Sequence, residues 1–168
     1  MLTDFAARFF TWLAQTAFAT YVHENAYLFP ILESTHVLAI TMVVGSISVV
    51  DLRLLGVASR RRPAGELMRE VLPLTWIAFA VAVVTGVVMF ISNAVEYSQN
   101  VPFRVKLLLM AAAGVNMLVF HSVVYRAMQG DGGSSRPPLG ARVAGAISLL
   151  LWIGVVGFGR WIGFTVGQ

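Results

Sequence analysis

The chain has 168 residues, of which 58% are hydrophobic and 12% are charged, with a mean hydropathy of +0.78 and a net charge of +4. Soluble domains average about 45–50% apolar and about 25% charged residues. A soluble core of this size cannot bury so much apolar surface, so lipid must solvate much of the chain. The absence of cysteine excludes disulfides, thiolate metal sites, iron–sulfur clusters and covalently attached c-type haem.

The first element is an N-terminal segment, residues 1–22, that we expect to form an amphipathic helix in the membrane interface. Its apolar residues Phe5, Phe9 and Leu13 recur at helical spacing. The alternative is a fifth short span, although a span needs roughly 20 consecutive apolar residues. Asp4 stands where a signal peptide would carry positive charge, which argues against one.

Four later stretches are long and apolar enough to cross a bilayer. They cover about residues 28–53, 71–92, 103–127 and 142–164. The sequence therefore predicts an all-α membrane protein, a single domain built as an up-down bundle of four transmembrane helices. The short link "NAVEYSQNVP" between the second and third spans predicts that these two helices are antiparallel neighbours.

The arginines predict the orientation of the bundle. Eight of the twelve basic residues flank the first and third loops. They are Arg53, Arg60, Arg61, Arg62, Arg69, Arg126, Arg136 and Arg142. Because positive charge accumulates on the cytoplasmic side, we expect both termini outside, in the periplasm of a bacterium with the bundle in its inner membrane. The same clustering indicates topology rather than nucleic-acid binding.

Ionisable residues within spans are costly and are therefore candidates for function. With the topology above they fall in two layers. The outer layer holds Glu33, His36, Arg104, Lys106 and Arg160, and the inner layer holds Asp51, Arg53, His121 and Arg126. Lys106, Met110, Met117 and His121 share one face of the third helix.

Depth separates the two intramembrane histidines. His36 and His121 differ by roughly 15–20 Å along the bundle axis, which disfavours a single haem held by both. A haem ligated by His36, with Met110, Lys106, His23 or no residue opposite, fits the depth better. The alternatives stay open: Lys106 and Arg104 as interfacial anchors, the methionines as packing residues, and His121 as a buried histidine bonded to a carbonyl or to Asp51.

The run "ESTHVLAITMVVGSISVVDLRLLG" resembles the first helix of a superfamily of small bacterial membrane proteins. "LMREVLPLTWIAFAVAVVTGVVMF" and "RVKLLLMAAAGVNMLVFH" resemble its second and third helices. The superfamily includes the integral-membrane type of protoporphyrinogen oxidase and the membrane domain of copper-resistance D-type proteins. The chain looks closest to an uncharacterised branch of it. The resemblance covers about residues 28–127 and implies haem b bound through His36, with Lys106 also important.

The resulting hypothesis is a haem b protein for electron transfer or porphyrin-linked oxidoreduction. His36 would be the axial metal ligand, Lys106 the catalytic residue beside Met110, and Arg104 or Arg160 the partner of the propionates. His121 is a further candidate cofactor-binding residue, or forms a proton relay with Asp51. We expect the protein to work with a redox partner, within a larger membrane complex, or together with a second copy of the chain.

Two rival hypotheses come from the same residues. In the first, the chain handles copper, another metal or protons through His36, Glu33, Met110 and Met117. In the second, it is a non-catalytic accessory subunit in which polar residues only fix helix packing.

Overall fold

A computed structural model describes residues 2–57, 64–125 and 137–166. Within these residues the chain is helical and contains no strand. The helices are α1 (Leu2–Ala14), α2 (Ala17–Glu24), α3 (Leu28–Leu54), α4 (Ala64–Ser92), α5 (Ala94–Gln99), α6 (Val101–Val119, continued by a π-helical segment, Phe120–Tyr125) and α7 (Leu139–Thr165). The predicted all-α bundle is confirmed.

Four of these helices are long and apolar enough to span a membrane, namely α3, α4 from Glu66, α6 to Ser122, and α7. The chain is therefore a multi-pass membrane protein whose environment is a lipid bilayer. Helix α4 begins about two turns before the predicted span, because its first turns are amphipathic. Leu67 and Met68 are buried there, whereas Glu66 and Glu70 are exposed.

The N-terminal segment forms two helices rather than the single one expected. The break falls at Thr16, whose backbone is extended (φ −66°, ψ 147°) and whose hydroxyl accepts a hydrogen bond from the Ala19 N–H at 3.2 Å. Threonine at this position caps α2, so the continuous helix ends here although the apolar periodicity continues. Ala19 and Val22 are fully buried, so α2 packs on the bundle.

Helices α1, α2 and α5 cover one end of the bundle, which we call the capped end. Helix α2 contacts α4, and α1 contacts α5. Phe10 of α1 meets Phe90 of α4 edge-on at 5.9 Å, and Phe90 stacks on Phe103 of α6 at 5.4 Å. Tyr97 of α5 lies 5.5 Å from Phe103. The capped end corresponds to the predicted outer side, and the opposite end is called the loop end.

The four spanning helices are arranged as an open arc in the order α4, α3, α7, α6. Helix α3 packs closely against α4 and α7, and α7 against α6, but α4 and α6 show no such close backbone packing within the described residues and meet through the Phe90–Phe103 ring stack at the capped end. The second and third spans, predicted to be antiparallel neighbours, meet at the capped end through Phe90 and Phe103, but their backbones do not pack closely along the rest of their length. A cleft consequently runs between α4 and α6.

Glycines allow the closest helix approaches within the arc. A Cβ on Gly145 of α7 would lie 3.1 Å from the Asp51 carbonyl oxygen and 3.2 Å from the Leu54 Cβ, both on α3. Side-chain hydrogen bonds add to this packing. Thr75 bonds to Ser46 at 2.8 Å, and the Asn116 amide donates to the Ala144 carbonyl at 3.0 Å. Such bonds fix the register of helices in lipid.

Candidate functional site

Each of the four spanning helices contributes a residue at one level near the capped end. His36 on α3, Thr85 on α4, Lys106 on α6 and Gly159 on α7 all lie roughly 8–12 Å from the capped ends of their helices, at 1.5 Å per residue. The up-down topology brings them together although they are far apart in sequence. We call His36, Thr85, Gly86, Lys106 and Gly159 the capped-end site.

The imidazole of His36 is held by a hydrogen bond to α4. Its Nδ1 lies 2.9 Å from the Thr85 hydroxyl oxygen, and that hydroxyl donates its single hydrogen to the Val81 carbonyl at 2.7 Å. With its hydrogen on this carbonyl, the hydroxyl oxygen is placed to accept from Nδ1–H of His36. The Ala82 carbonyl is a further acceptor beside the ring. In this tautomer the lone pair is on Nε2, the atom available to bind a metal.

Gly86 makes room for the His36 ring. A Cβ at this position would lie 2.9 Å from Cε1 and 3.4 Å from Nδ1 of His36. The ring is therefore packed directly on the α4 backbone, and any larger residue at position 86 would displace it. Together with Thr85, this glycine fixes both the orientation and the height of the histidine.

Lys106 enters the same level from α6. Its side chain is half-buried and lies along Gly159 of α7, where a Cβ would be 3.6 Å from the ammonium nitrogen. The ammonium is close enough to His36 for the two groups to interact electrostatically. No carboxylate of the described residues forms an ion pair with Lys106. The co-location of His36 and Lys106 predicted from depth is thus present in the structure.

The two arginines expected beside this site have exposed side chains. Arg104 donates from Nε to the Ser98 carbonyl at 2.8 Å, and Arg160 lies over the Phe164 ring at 5.3 Å. Neither contact points either side chain at His36 or Lys106. Their role toward propionates stays a prediction, and His23 is likewise exposed at the end of α2.

Tyr97 is a buried residue of the capped end and lies near two acidic side chains. The phenol is buried in the aromatic contacts between α4, α5 and α6. Burial raises its pKa, and the negative charges of Glu33 and Glu96 raise it further. Glu33 and Glu96 are therefore close enough to Tyr97 to interact with it electrostatically.

The second feature is a cavity of about 370 Å³ in the cleft between α4 and α6. We call it the α4–α6 cleft. Met110, His121 and Asp51 line it, whereas His36 and Lys106 do not. Met110 therefore lies apart from the residues with which it was predicted to form a pocket, although it shares a helix face with Lys106.

The predicted partners Asp51 and His121 both border this cleft, but each has a hydrogen bond to another group. Nδ1 of His121 lies 3.1 Å from the Met117 carbonyl oxygen, one turn earlier on α6. The Asp51 carboxylate accepts a hydrogen bond from Ser148 of α7. Arg126, which was assigned to the same layer, lies outside the described residues.

Within residues 2–57, 64–125 and 137–166 no group of three or more His, Asp or Glu side chains could hold a metal ion.

The sequence matches a family of unknown function, DUF6644, over residues 9–165. The chain belongs to this family. No curated protein and no solved structure shows significant similarity to it. The match includes every residue of the capped-end site and of the cleft, so both features lie within the region that defines the family.

Sequence reasoning missed the residues that hold His36 and Asp51 in place. Thr85, Gly86 and Ser148 are small residues within apolar helices, and nothing in the local pattern distinguishes them from packing residues. A signal was present at Thr85–Gly86, the one polar–glycine pair inside the second span. The role of this pair in holding His36 could be recognised only once the structure placed His36 opposite it.

Proposed function

We propose that this DUF6644 protein is an integral membrane haem b protein that takes part in electron transfer or porphyrin-linked oxidoreduction, with His36 as an axial ligand. The observation that carries the proposal is the fixed imidazole of His36. Metal-bound histidines usually give their other ring N–H to a hydrogen-bond acceptor, which sets the tautomer and the ring orientation. The Thr85 hydroxyl is such an acceptor for Nδ1–H.

The donor chemistry of the capped-end site fits this group. A neutral imidazole with its lone pair on Nε2 is the usual protein ligand of haem iron, and the chain has no cysteine for thiolate ligation or covalent attachment. Haem would supply one-electron chemistry that no side chain of the chain can perform. The four helices would hold it, and Gly86 sets the position of the ligating ring.

Lys106 is the second residue in the proposal. An ammonium at membrane depth without a carboxylate partner is suited to bind an anionic group of a ligand, such as a porphyrin propionate. The sequence resemblance to the integral-membrane protoporphyrinogen oxidases points to the same two positions, His36 and Lys106. We further propose that the bundle lies in a bacterial inner membrane with its capped end toward the periplasm, which the distribution of arginines supports.

Titration of the purified protein with haem tests the proposal. We expect the wild-type protein to give a saturable Soret band and His36→Ala to lose it, with partial recovery when imidazole is added as a replacement ligand. His23→Ala is the matched control, because it removes an exposed histidine at the same end, and it should bind haem normally. A wild-type protein that remains colourless after titration would refute the proposal.

A further inference from the structure

The α4–α6 cleft is a cavity with apolar walls and a lateral opening toward lipid. Helices α4 and α6 do not meet along it, so a molecule dissolved in the bilayer can reach it without passing through water. Its walls include aromatic rings from three helices, Trp76 and Phe79 of α4, Phe120 beyond α6 and Trp152 of α7. Its volume of about 370 Å³ falls within the roughly 300–1,000 Å³ of small-molecule sites.

One polar group in the wall of the cleft is the Asp51 carboxylate, which is only 5% exposed. One of its oxygens accepts from Ser148, but Oδ2 is fully buried and has no hydrogen-bond partner among the described residues. An unsatisfied buried acceptor costs about 1–3 kcal/mol, and more if it is charged. Buried polar groups without partners are rare in folded proteins, so this oxygen indicates a missing donor.

The neighbouring polar side chain also presents an acceptor. Asn116, another residue of the cleft wall, uses its amide N–H to bond the Ala144 carbonyl, which leaves its side-chain carbonyl oxygen as an acceptor. Two acceptors in one wall call for a ligand that brings its own hydrogen-bond donor.

The charge near the loop end favours a neutral donor over an organic cation. Eight of the twelve basic residues of the sequence fall within residues 53–69 and 126–142, the two stretches of sequence that connect α3 to α4 and α6 to α7. Only four of the eight acidic residues lie within residues 51–70 and 126–142. The resulting positive potential opposes a cationic ligand. A neutral hydroxyl group meets no such barrier.

We infer that the α4–α6 cleft binds a neutral, lipid-soluble aromatic alcohol of the phenol or hydroquinone class. Its ring lies between the aromatic walls, and its hydroxyl donates to the Asp51 carboxylate after a side-chain rotation turns Oδ2, which is covered in the unliganded structure, toward the cleft. The inference does not depend on haem binding, because the cleft shares no residue with the capped-end site. It concerns binding only, and the same contacts would hold a hydroquinone or a simple phenol.

Two probe molecules that differ only in whether they carry a hydrogen-bond donor test this inference about the cleft. α-Naphthol and its methyl ether have the same fused ring, but only the naphthol can donate a hydrogen bond. Binding to the purified full chain in lipid nanodiscs can be followed by the fluorescence of Trp76 and Trp152, which lie in the cleft wall. We expect saturable binding of the naphthol and an affinity for the ether lower by about tenfold or more, the size of one hydrogen bond to a charged group.

Asp51→Asn should weaken naphthol binding by about tenfold and leave the ether unchanged. Asp4→Asn is the matched control, since it makes the same substitution on an exposed residue of α1. Equal affinities of wild-type protein for naphthol and ether would overturn the inference, as would Asp51-dependent binding of tetraphenylphosphonium in place of the naphthol. If Asp51→Asn does not fold, the ratio of the two affinities in the wild-type protein decides alone.

Discussion

The two halves of this bundle are built from the same four helices but present opposite chemistry. At the capped end α1, α2 and α5 cover the helix ends, and a histidine with a fixed lone pair faces a lysine that has no carboxylate partner among the described residues. In the other half the wall lies open between α4 and α6, and its polar side chains include the acceptors Asp51 and Asn116.

The difference follows from where the helices touch. Helices α3 and α4 approach closely at Gly86, which tightly fixes His36, whereas nothing bridges α4 and α6 beside Asp51. A bundle in which α4 and α6 pack closely only at one end can thus combine a rigidly held histidine with an open cleft at a different depth. The predictions below test whether the two regions are independent.

The largest effect is expected from Gly86→Ala, because the new methyl group would lie 2.9 Å from Cε1 of His36 and must displace the ring. Haem affinity, measured from the Soret band, should fall by more than the roughly 10- to 100-fold that follows loss of a hydrogen-bond partner of a ligating histidine. Gly45→Ala on α3 is the control, since a Cβ there meets nothing within 4 Å. Equal haem binding by the two variants would contradict the proposed position of the ligand.

Thr85→Val removes the hydroxyl that accepts from His36 Nδ1–H while keeping the shape of the side chain. Haem affinity should fall by about 10- to 100-fold, because the ring loses its fixed tautomer and orientation. Thr85→Ser, which keeps the acceptor, should restore most of the affinity. Naphthol binding to the cleft should be the same in all three proteins, and a parallel loss would show that the two regions are coupled.

Gly145→Ala should destabilise the loop-end half of the bundle by about 1–3 kcal/mol. The added Cβ would lie 3.1 Å from the Asp51 backbone carbonyl, which cannot rotate away, so α3 and α7 must separate. Thermal unfolding in detergent measures the change, with Gly157→Ala as the control because it meets nothing within 4 Å. A Gly145→Ala protein as stable as the Gly157→Ala protein would contradict the observed helix approach.

The smallest effect concerns the pH dependence of the capped end. The pKa of Tyr97 is raised in the folded protein, so the unfolded chain loses this proton first, near pH 10, and stability should decline as the pH rises above that value. In Tyr97→Phe the decline between about pH 9 and 11 should be shallower. Unfolding midpoints across this range measure it, and Tyr27→Phe, an exposed tyrosine, should follow the wild-type curve.

Hydropathy was sufficient to predict the spanning helices, because lipid requires long apolar segments and α3 and α7 consist of little else. Depth arithmetic was sufficient to bring His36 and Lys106 to one level, since every helix rises by the same distance per residue. The break at Thr16 was missed because the apolar periodicity continues across it. A capping hydrogen bond replaces the helical one only at that residue.

Lateral packing could not be predicted in the same way. Helical angles place Met110 on the face of Lys106, but they do not say which helix that face meets, and Met110 lines the cleft instead. The length of the link after α4 suggested that α4 and α6 pack side by side, yet they meet at the capped end through Phe90 and Phe103 and leave a cleft along the rest of their length. The partners of His36 and Asp51 became identifiable only once the helix order was known.

Haem titration of His36→Ala and His121→Ala side by side tests the central claim most directly. The two substitutions are identical, and they remove one histidine from each half of the bundle. If the capped-end site holds haem, the Soret band should disappear in His36→Ala and persist at wild-type affinity in His121→Ala. A band that survives in His36→Ala and disappears in His121→Ala would place the cofactor in the cleft and contradict the account.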